Sequence, residues 1–467
     1  MPAVKSSSTP PGQRLGLPLL VLAAAQLVIS LDYSIVYVAL PRIGAGLGFS
    51  GQDLQWVVSA YVVATGGLLL LGGRATDLLG RRRMFVLAAL LYAVSSLVGG
   101  LSGSAGILVG MRAVQGVGGA LLFPAALSLI NTLYEEGPDR NRALAVWGAA
   151  GAGGLCFGSL LGGVLVDAFD WPAVFLVNVP LAGAIALAGS FLFPPDGAVS
   201  GWRDFDLPGA LTATAGITLL VFVLVHAPEA GWGSRSVLMC AVLSVISLVL
   251  FVFVETRARA PLTPGHLFRH RGLLGAMALT ALFSATFSSL PYFLTLYFQT
   301  VRSYGALGTG VAFLLPAVVV AVGTKAGEKV VSAFGVRAAL LGGMTLGAVG
   351  VALLALSLSA DGLYLRLVPG IVLLSLGQGA TWTGMWIAAS TGVPAADQGI
   401  ASGLASTTLQ VGSAVGLAVL VAVTGTGRHG LTTAELLDGI RDAVHIIVAG
   451  ICLGAVALLP LRRRAGD

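Results

Sequence analysis

Residues 15–40 read LGLPLLVLAAAQLVISLDYSIVYVAL, an apolar stretch that contains a single charged side chain, Asp32. A helix crosses the bilayer core with about 20 mainly apolar residues, so this stretch is long enough to span a membrane. It is also longer than the apolar region of a signal peptide, which covers about 7–15 residues. We therefore interpret it as a retained first span that follows a polar tail at residues 1–14.

The rest of the chain has the same character. Its 467 residues are 56% hydrophobic and only 10% charged, with a mean hydropathy of +0.93. In a soluble domain about a quarter of the residues are charged, so the outer surface of this protein must largely face lipid. Apolar windows lie near residues 15–40, 54–72, 84–102, 104–132, 142–166, 173–193, 208–226, 237–255, 272–299, 305–324, 337–358, 364–390, 398–424 and 441–461. The sequence predicts an all-α integral membrane protein with 14 transmembrane helices.

The basic residues predict the orientation. If both termini are cytoplasmic, the inner loops and tails hold nineteen Lys and Arg residues and the outer loops hold six. Cytoplasmic loops carry such an excess of basic residues, so the bias favours an even number of spans in a cell inner (plasma) membrane. The net charge of +6 is scattered over loops and forms no stripe, so we expect no nucleic-acid partner.

Two similar segments indicate an internal duplication. Residues 72–83 read GGRATDLLGRRR and residues 327–337 read GEKVVSAFGVR, and each follows the second span of its half. Their glycines and arginines align, as Gly80 with Gly335 and Arg82 with Arg337. Repeats around a central pathway are common in secondary transporters. The predicted organisation is a cytoplasmic tail at 1–14, a six-helix bundle at 15–193, two inserted helices with linkers at 194–271, a second six-helix bundle at 272–461 and a cytoplasmic tail at 462–467.

Only two ionisable side chains lie deep in the predicted spans, Asp32 in span 1 and Arg112 in span 4. Each is about eight residues from the outer end of its helix, which at 1.5 Å per residue places both roughly 12 Å below the outer face. An acid with a movable cationic neighbour is suited to carry protons. The alternative is a static ion pair that locks two helices. Gln115 and Gly116 share the face of Arg112 at i+3 and i+4, as a polar stripe or a packing surface.

Two further segments are candidates for conformational change. Glycines concentrate in span 5, including Gly158, Gly162 and Gly163, and predict a packing seam or a flexing gate. Between spans 2 and 3 we predict a short cytoplasmic turn in which Asp77 caps a helix or pairs with arginine and so holds one conformation closed. The alternative is that the arginines serve only as inside anchors. The residues of this turn are Gly73, Asp77, Gly80, Arg81, Arg82 and Arg83.

The sequence contains no pattern that predicts an enzyme. It has no nucleotide loop of the form G-x-x-x-x-G-K-[ST], so ATP does not drive it directly. The five histidines form no metal-binding pair, and the three cysteines lie far apart in apolar stretches. We expect no cofactor and no metal.

The motifs, in their order, resemble those of the major facilitator superfamily and specifically its fourteen-span drug–proton antiporters. The resemblance covers nearly the whole chain. Residues 31–41, LDYSIVYVALP, are similar to the first-span signature, and residues 56–83 to the second span and the loop that follows it. The other similar segments are Arg112-x-x-Gln115-Gly116 in span 4, WPAVFLVNVP at 171–180, and Ala401-Ser402-Gly403 with Gln410-x-Gly412 in span 13.

The resemblance implies a bacterial exporter of hydrophobic or amphipathic small molecules, driven by proton antiport through alternating access. The proton would be the only coupling ion, and the partners would be a small-molecule substrate and the lipid bilayer around a monomer. Asp32 would carry the proton, with Arg112 tuning it, and the loop after span 2 would be a conformational latch. Candidate cavity residues are Tyr37, Tyr292, Phe293, Trp382, Trp386 and Gln410, although packing or lipid contact would explain the aromatic residues equally well.

One departure from the family pattern matters for the direction of transport. Ser159 follows Gly158 where the span-5 antiporter motif usually has proline. This difference keeps open a solute importer of the same fold, proton-coupled or passive. A receptor or scaffold without flux is a further alternative. Increased tolerance of toxic compounds would distinguish an exporter from an importer. Solute flux in proteoliposomes would distinguish a transporter from a receptor or scaffold.

Overall fold

The computed structural model describes residues 16–49, 54, 56–197, 206–258, 263, 265, 267, 271–394, 397–426 and 432–458. The predicted tails at 1–14 and 462–467 lie outside these residues. Within them the regular structure is helical, as the apolar windows predicted.

The described part of the chain forms sixteen α-helices and one π-helical turn. They are α1 (Leu17–Leu47), α2 (Trp56–Leu79), α3 (Arg81–Gly100), α4 (Ala105–Leu133), α5 (Pro138–Phe169), α6 (Pro172–Leu176), α7 (Asn178–Leu192), α8 (Leu207–Ala230), α9 (Arg235–Glu255), α10 (Arg271–Thr286), α11 (Leu290–Leu296), the π-turn (Tyr297–Val301), α12 (Ala306–Phe334), α13 (Val336–Ser357), α14 (Tyr364–Ser390), α15 (Gln398–Thr424) and α16 (Thr433–Ala457).

Eleven helical segments of the described residues are long and apolar enough to cross a membrane. The number rises to twelve if α5, whose axis bends by 44° between Leu155 and Leu160, counts as one span. The segments Pro172–Leu192 and Gly272–Val301 each join short helices into one span. The chain is therefore a multi-pass membrane protein of helical type.

The segment between α2 and α3 corrects the predicted turn. The helix α2 continues to Leu79 and α3 begins at Arg81, so Gly80 alone forms the connection and Asp77 lies on the last turns of α2. Gly80 has φ of 103°, a conformation that costs glycine little because it has no Cβ. Gly335 has φ of 85° at the matching junction between α12 and α13.

The helices pack in a pattern that occurs twice. In the first part of the chain α1 packs on α5, α2 on α4, and α3 on α4 and α7. In the last part α10 packs on α15, α12 on α14, and α13 on α14 and α16. The two groups meet where α2 contacts α15 and α5 contacts α12. The helix α8 packs on α2 and α15 beside this contact, and α9 packs on α8.

The glycines of α5 form a packing seam against α1, one of the two roles predicted for them. A Cβ at Gly154 would clash with the backbone oxygen of Leu27, and a Cβ at Gly158 would lie 2.6 Å from the backbone oxygen of Leu31. Real Cβ atoms do not come this close, so any larger residue at either position would separate the two helices. This close approach fixes the depth at which α1 presents Asp32.

Candidate functional site

The two charged side chains predicted in spans 1 and 4 are in direct contact. Nη1 of Arg112 on α4 lies 2.7 Å from Oδ2 of Asp32 on α1. Asp32 is 0% exposed and Arg112 is 2% exposed. The pair is therefore enclosed by protein, as intramembrane charges must be because lipid cannot solvate them.

Two amide side chains complete the environment of the carboxylate. Nε2 of Gln115 donates to Oδ1 of Asp32 at 2.9 Å, and Nδ2 of Asn178 donates to the same oxygen at 2.7 Å. Gln115 is held in turn by the hydroxyl of Ser96 on α3 and by Nη1 of Arg112. Three donors from α4 and α7 thus converge on one acid of α1, an arrangement that stabilises its charged form.

The cation is fixed by α2. Nε of Arg112 donates to the backbone oxygen of Val57 at 2.8 Å, and its guanidinium carbon lies 4.5 Å from the ring centroid of Tyr61. A cation above an aromatic face is attracted by the ring quadrupole. The arginine is therefore anchored on α2 and α4, while the acid belongs to α1.

The acid and the cation belong to different helices, so a movement of α1 relative to α4 would change the charge environment of the carboxylate. A carboxylate that separates from a fixed cation gains proton affinity, and one that returns to the cation loses it. Arginine itself stays protonated and serves only as the partner. The same contacts also hold α1 against α4, so the proton role must be tested by transport and not by stability.

The second candidate site connects the two groups of helices. Oδ1 of Asp77 on α2 accepts from the backbone N–H of Gly399 at 3.0 Å, and its Oδ2 accepts from the N–H of Ile400 at 2.8 Å. These amides belong to the first turn of α15, where N–H groups lack partners in the helix and favour an anion. Asp77 thus caps a helix of the other group. Nη2 of Arg81 lies 3.5 Å from the same carboxylate.

The glycine at the start of this motif has a packing role. A Cβ at Gly73 would clash with the backbone oxygen of Gly399 and would lie 2.9 Å from Cα of Gly403. The absence of a side chain lets α2 approach α15 closely enough for Asp77 to reach the helix end. Gly73 and Asp77, predicted as parts of one latch, therefore act on the same neighbouring helix.

The arginines of the motif contact their own group of helices. Nε of Arg81 donates to Oγ of Ser128 on α4 at 2.9 Å, and Nη2 of Arg82 donates to the backbone oxygen of Ser190 on α7. Arg83 is exposed at the start of α3. Cations at a helix N-terminus oppose the helix dipole. The carboxylate of Asp196 offsets this, because it accepts from the backbone N–H groups of Arg82 and Arg83 at 3.0 and 2.9 Å.

The remaining motif glycines are distributed over two surfaces. A Cβ at Gly116 would lie 2.6 Å from the backbone oxygen of Tyr61, so this glycine seats α4 against α2. A Cβ at Gly162 would lie 3.0 Å from Ile35 on α1, whereas one at Gly163 would meet no atom within 4 Å. The side chain of Ser159 lies outside the described structure.

The predicted cavity residues do not form one cluster. Trp382 and Trp386 of α14 pack on Trp147 of α5, with ring centroids 6.3 and 5.7 Å apart. Phe293 is fully buried beside the partly exposed Tyr292. Tyr37 on α1 is 48% exposed, and Gln410 of α15 lies against Gly66 of α2. The tryptophans therefore join the two groups of helices, and the other residues lie elsewhere.

The sequence did not predict the roles of several residues in these sites. Asn178 and Ser96 are neutral, and a neutral polar residue in a span gives no signal that separates a ligand from packing. Asp196 follows two prolines just after an apolar window, a position that is typical of a cap but names no partner. Trp147 precedes the glycine-rich part of α5, and no charge or motif in the sequence distinguishes it from an ordinary packing residue.

A multi-pass helical bundle that encloses a hydrogen-bonded carboxylate and guanidinium is typical of membrane transporters. The chain belongs to the Major Facilitator Superfamily, which it matches over residues 22–417. It is 37% identical to the puromycin resistance protein pur8 of Streptomyces alboniger, over 96% of this chain and 91% of that protein. It is 39% identical to the cephamycin export protein CmcT of Amycolatopsis lactamdurans, over 95% and 91% of the two chains.

A solved structure shows the same fold. The human organic anion transporter MFSD10 (TETRAN) superposes with a TM-score of 0.68, covering 96% of this chain and 100% of that one at 18% identity. At that identity the comparison concerns the fold alone.

Proposed function

We propose that this protein exports hydrophobic or amphipathic small molecules, including antibiotics, by proton antiport with alternating access. Relatives that are more than 35% identical over nearly the whole chain are named for puromycin resistance and cephamycin export. The observation that carries the coupling mechanism is the enclosed carboxylate of Asp32, held by one cation and two amides. Protons that bind there on one side and leave on the other would drive the exchange.

We further propose fourteen spans in two pseudo-symmetric bundles, at residues 15–193 and 272–461. The repeated packing of α1–α7 and α10–α16 supports the duplication. So do two arginines at matching motif positions, because Arg82 donates to the backbone oxygen of Ser190 and Arg337 to that of Leu458, each near the end of the last helix of its bundle. On this count α5, α8 and α14 also cross the membrane, and α8 and α9 are the inserted pair.

The orientation follows from the basic residues. With both termini in the cytoplasm, the motif at residues 72–83 and its second copy face the cytoplasm in a plasma membrane. Asp77 then joins the two bundles on the cytoplasmic side. Trp147, Trp382 and Trp386 join them a few turns deeper on the same side. In this proposed orientation, these contacts between the two bundles would close the cytoplasmic side.

The substrate would enter through this closed region. Opening it separates Trp147 of one bundle from the tryptophans of α14, and their faces become available to a flat apolar compound. Tyr37 of α1, which is half exposed, would then contact the substrate on its way out. This route uses the protein as a monomer and needs no cofactor other than the proton.

The coupling is tested with everted membrane vesicles that contain the full chain or Asp32→Asn. Ethidium, puromycin and a cephamycin are the probes. We expect vesicles with the wild-type protein to accumulate at least one probe when a proton gradient is imposed. Adding a probe to acidified vesicles should make them release protons. Asp32→Asn should lose both responses.

Asp167→Asn is the matched control, because Asp167 is an exposed carboxylate near the outer end of α5. It should transport like the wild type. Full proton-coupled transport by Asp32→Asn would remove Asp32 from the mechanism. Failure of the wild-type protein to raise the tolerance of cells to any of the probes would instead argue against export of these compounds.

A further inference from the structure

The side chain of Asn178 has an unused hydrogen-bonding atom. Asn178 is fully buried, and its Nδ2 donates to Oδ1 of Asp32 at 2.7 Å. Its own carbonyl oxygen has no hydrogen-bond partner among the described residues. Buried polar atoms are nearly always paired, so an unpaired acceptor 0% exposed beside a functional acid needs an explanation.

The neighbouring amide, Gln115, is different because all of its polar atoms are engaged. Its Oε1 accepts from Nη1 of Arg112 at 2.7 Å, and its Nε2 donates to both Asp32 and Ser96. If this amide turned over, Nε2 would face the guanidinium and both would be donors. Arg112 therefore fixes the orientation of Gln115.

No such partner fixes Asn178. A half-turn about its Cβ–Cγ bond exchanges Oδ1 and Nδ2 with almost no change in shape. In either orientation one amide atom faces Asp32 and the other is unpaired, so neither orientation is locked by a second contact.

We propose that Asn178 is a positioning residue whose amide follows the protonation state of Asp32. While Asp32 is charged, Nδ2 donates to its Oδ1, as in the structure. When a proton binds to Oδ1, the amide turns over and its carbonyl oxygen accepts the new O–H. The step adds one proton to one oxygen and needs no other reactant. This inference rests on the proposed proton coupling and names the residue that stabilises both of its states.

Apart from the two amides, the groups around the acid are a fixed cation, two tyrosines that are not among its described hydrogen-bond partners, and apolar or small neighbours. The charged and titratable groups that interact with Asp32 are Arg112 on α4, Tyr61 on α2 and Tyr92 on α3. The other neighbours of α1 contribute apolar or small groups at this depth, namely Phe175 of α6 and the glycines Gly154 and Gly158 of α5. Gln115 also carries a donor and an acceptor, but Arg112 fixes its orientation. Among the described residues that bond to Asp32, only Asn178 therefore has a carbonyl oxygen that is free to turn toward the acid.

The position of Asn178 links the acid to a helix junction. It is the first residue of α7, directly after Val177, which separates α6 from α7. The helix α7 packs on α3 and α1. A change in its hydrogen bond to α1 therefore acts at the point where span 6 is interrupted.

The test is infrared difference spectroscopy of the purified full chain in liposomes, titrated with pH alone. Subtracting the spectra of Asp32→Asn identifies the carboxyl band of Asp32. In Asn178→Leu both forms of the acid lose a hydrogen bond, and the bond to the charged form is the stronger one, so the titration midpoint should rise, but by no more than about one pH unit. The protonated form loses its acceptor, so its C=O band should move to higher wavenumber. Asn178→Gln, which keeps the amide, should restore part of both changes.

Asn131→Leu is the matched control, because Asn131 is also a buried asparagine with an unpaired Oδ1 but has no contact with Asp32. It should leave the midpoint and the band unchanged. Asn178→Ala replaces Asn178→Leu if the larger side chain prevents folding.

The outcomes separate this inference from the proposed function. A C=O band of the protonated acid that does not move in Asn178→Leu, or in Asn178→Ala where that variant replaces it, would overturn the role of Asn178 while proton coupling stands. If no carboxyl band of Asp32 titrates in the wild-type protein, the proton relay itself is wrong, and the inference falls with it.

Discussion

At the scale of single residues, the pair of Asp32 and Arg112 is a buried charge pair whose partners depend on each other. Removing one partner leaves an uncompensated charge, which typically costs about 3–5 kcal/mol, whereas removing both is often close to neutral. The pair also has neutral hydrogen-bonding neighbours, which remain after either change. Stability and coupling can therefore be separated by substitution.

We predict that Arg112→Gln lowers the free energy of unfolding by about 3–5 kcal/mol at neutral pH because the charge of Asp32 is left unpaired. The double variant Asp32→Asn/Arg112→Gln should recover most of this loss but should not recover transport. Thermal unfolding of the purified protein in lipid measures the first effect. The control is Arg366→Gln, because Arg366 is an exposed arginine in the first turn of α14, and it should change stability little. A double variant as unstable as the single one would contradict the prediction.

The sequence revealed this pair because charges in a span are rare and because both lie at the same depth. It did not reveal Asn178, since an amide in a span is neutral and its partner is 146 positions away in the chain. Contacts at that separation depend on how the helices are arranged, which the periodicity of one segment does not contain.

At the scale of helices and their ends, two carboxylates cap the N-termini of two different helices. Asp77 caps α15, which belongs to the other bundle, and Asp196 caps α3 within its own bundle. Each accepts two backbone N–H bonds. Only the first contact must break if the bundles separate at the cytoplasm.

We predict that Asp77→Asn shifts the protein toward the state open to the cytoplasm. Loss of the charge at the helix end removes up to about 2 kcal/mol from the closed state, which is more than a tenfold change in population. Spin labels at Asp139→Cys on α5 and Lys329→Cys on α12, in a background without native cysteines, should report a longer distance. Both sites are exposed, one in each bundle.

The matched control is Asp196→Asn. It removes a cap of the same kind and should lower stability, but the distance between the labels should stay that of the wild type. An equal change of distance in both variants would mean that Asp77 has no special role in closing the protein.

The sequence located the helices but not all of their ends or breaks. The span predicted at 305–324 is α12 (Ala306–Phe334), and the one predicted at 441–461 is α16 (Thr433–Ala457). Span 9 was predicted as one helix at 272–299, whereas the structure has α10, α11 and a π-turn over 271–301. The interruption at residues 287–289 precedes Pro291 in the first turn of α11, and proline favours such a start. The window average hid this break because the residues around it are apolar.

At the scale of the whole molecule, alternating access requires that every contact between bundles on one side break together. On the side proposed to be cytoplasmic, two kinds of contact join the bundles, the cap at Asp77 and the aromatic packing of Trp147 on Trp382 and Trp386. If the bundles move as rigid bodies, both kinds of contact stabilise one and the same closed state.

Rigid-body motion therefore makes a quantitative prediction for Trp147. In Trp147→Leu the closed state loses aromatic packing worth about 0.5–1.5 kcal/mol beyond the buried area, so the label distance should lengthen as it does in Asp77→Asn. Because the two sites do not touch, their effects on the free energy of closing should add within about 0.5 kcal/mol in the double variant.

Trp171→Leu is the control for this experiment. Trp171 is also a buried tryptophan, but it packs on Phe175 and Gly46 within the first bundle. Its loss should cost stability and leave the distance between bundles unchanged. A double variant no more open than either single one would mean that the cap and the tryptophans open in separate steps, and a single rigid-body motion would then be excluded.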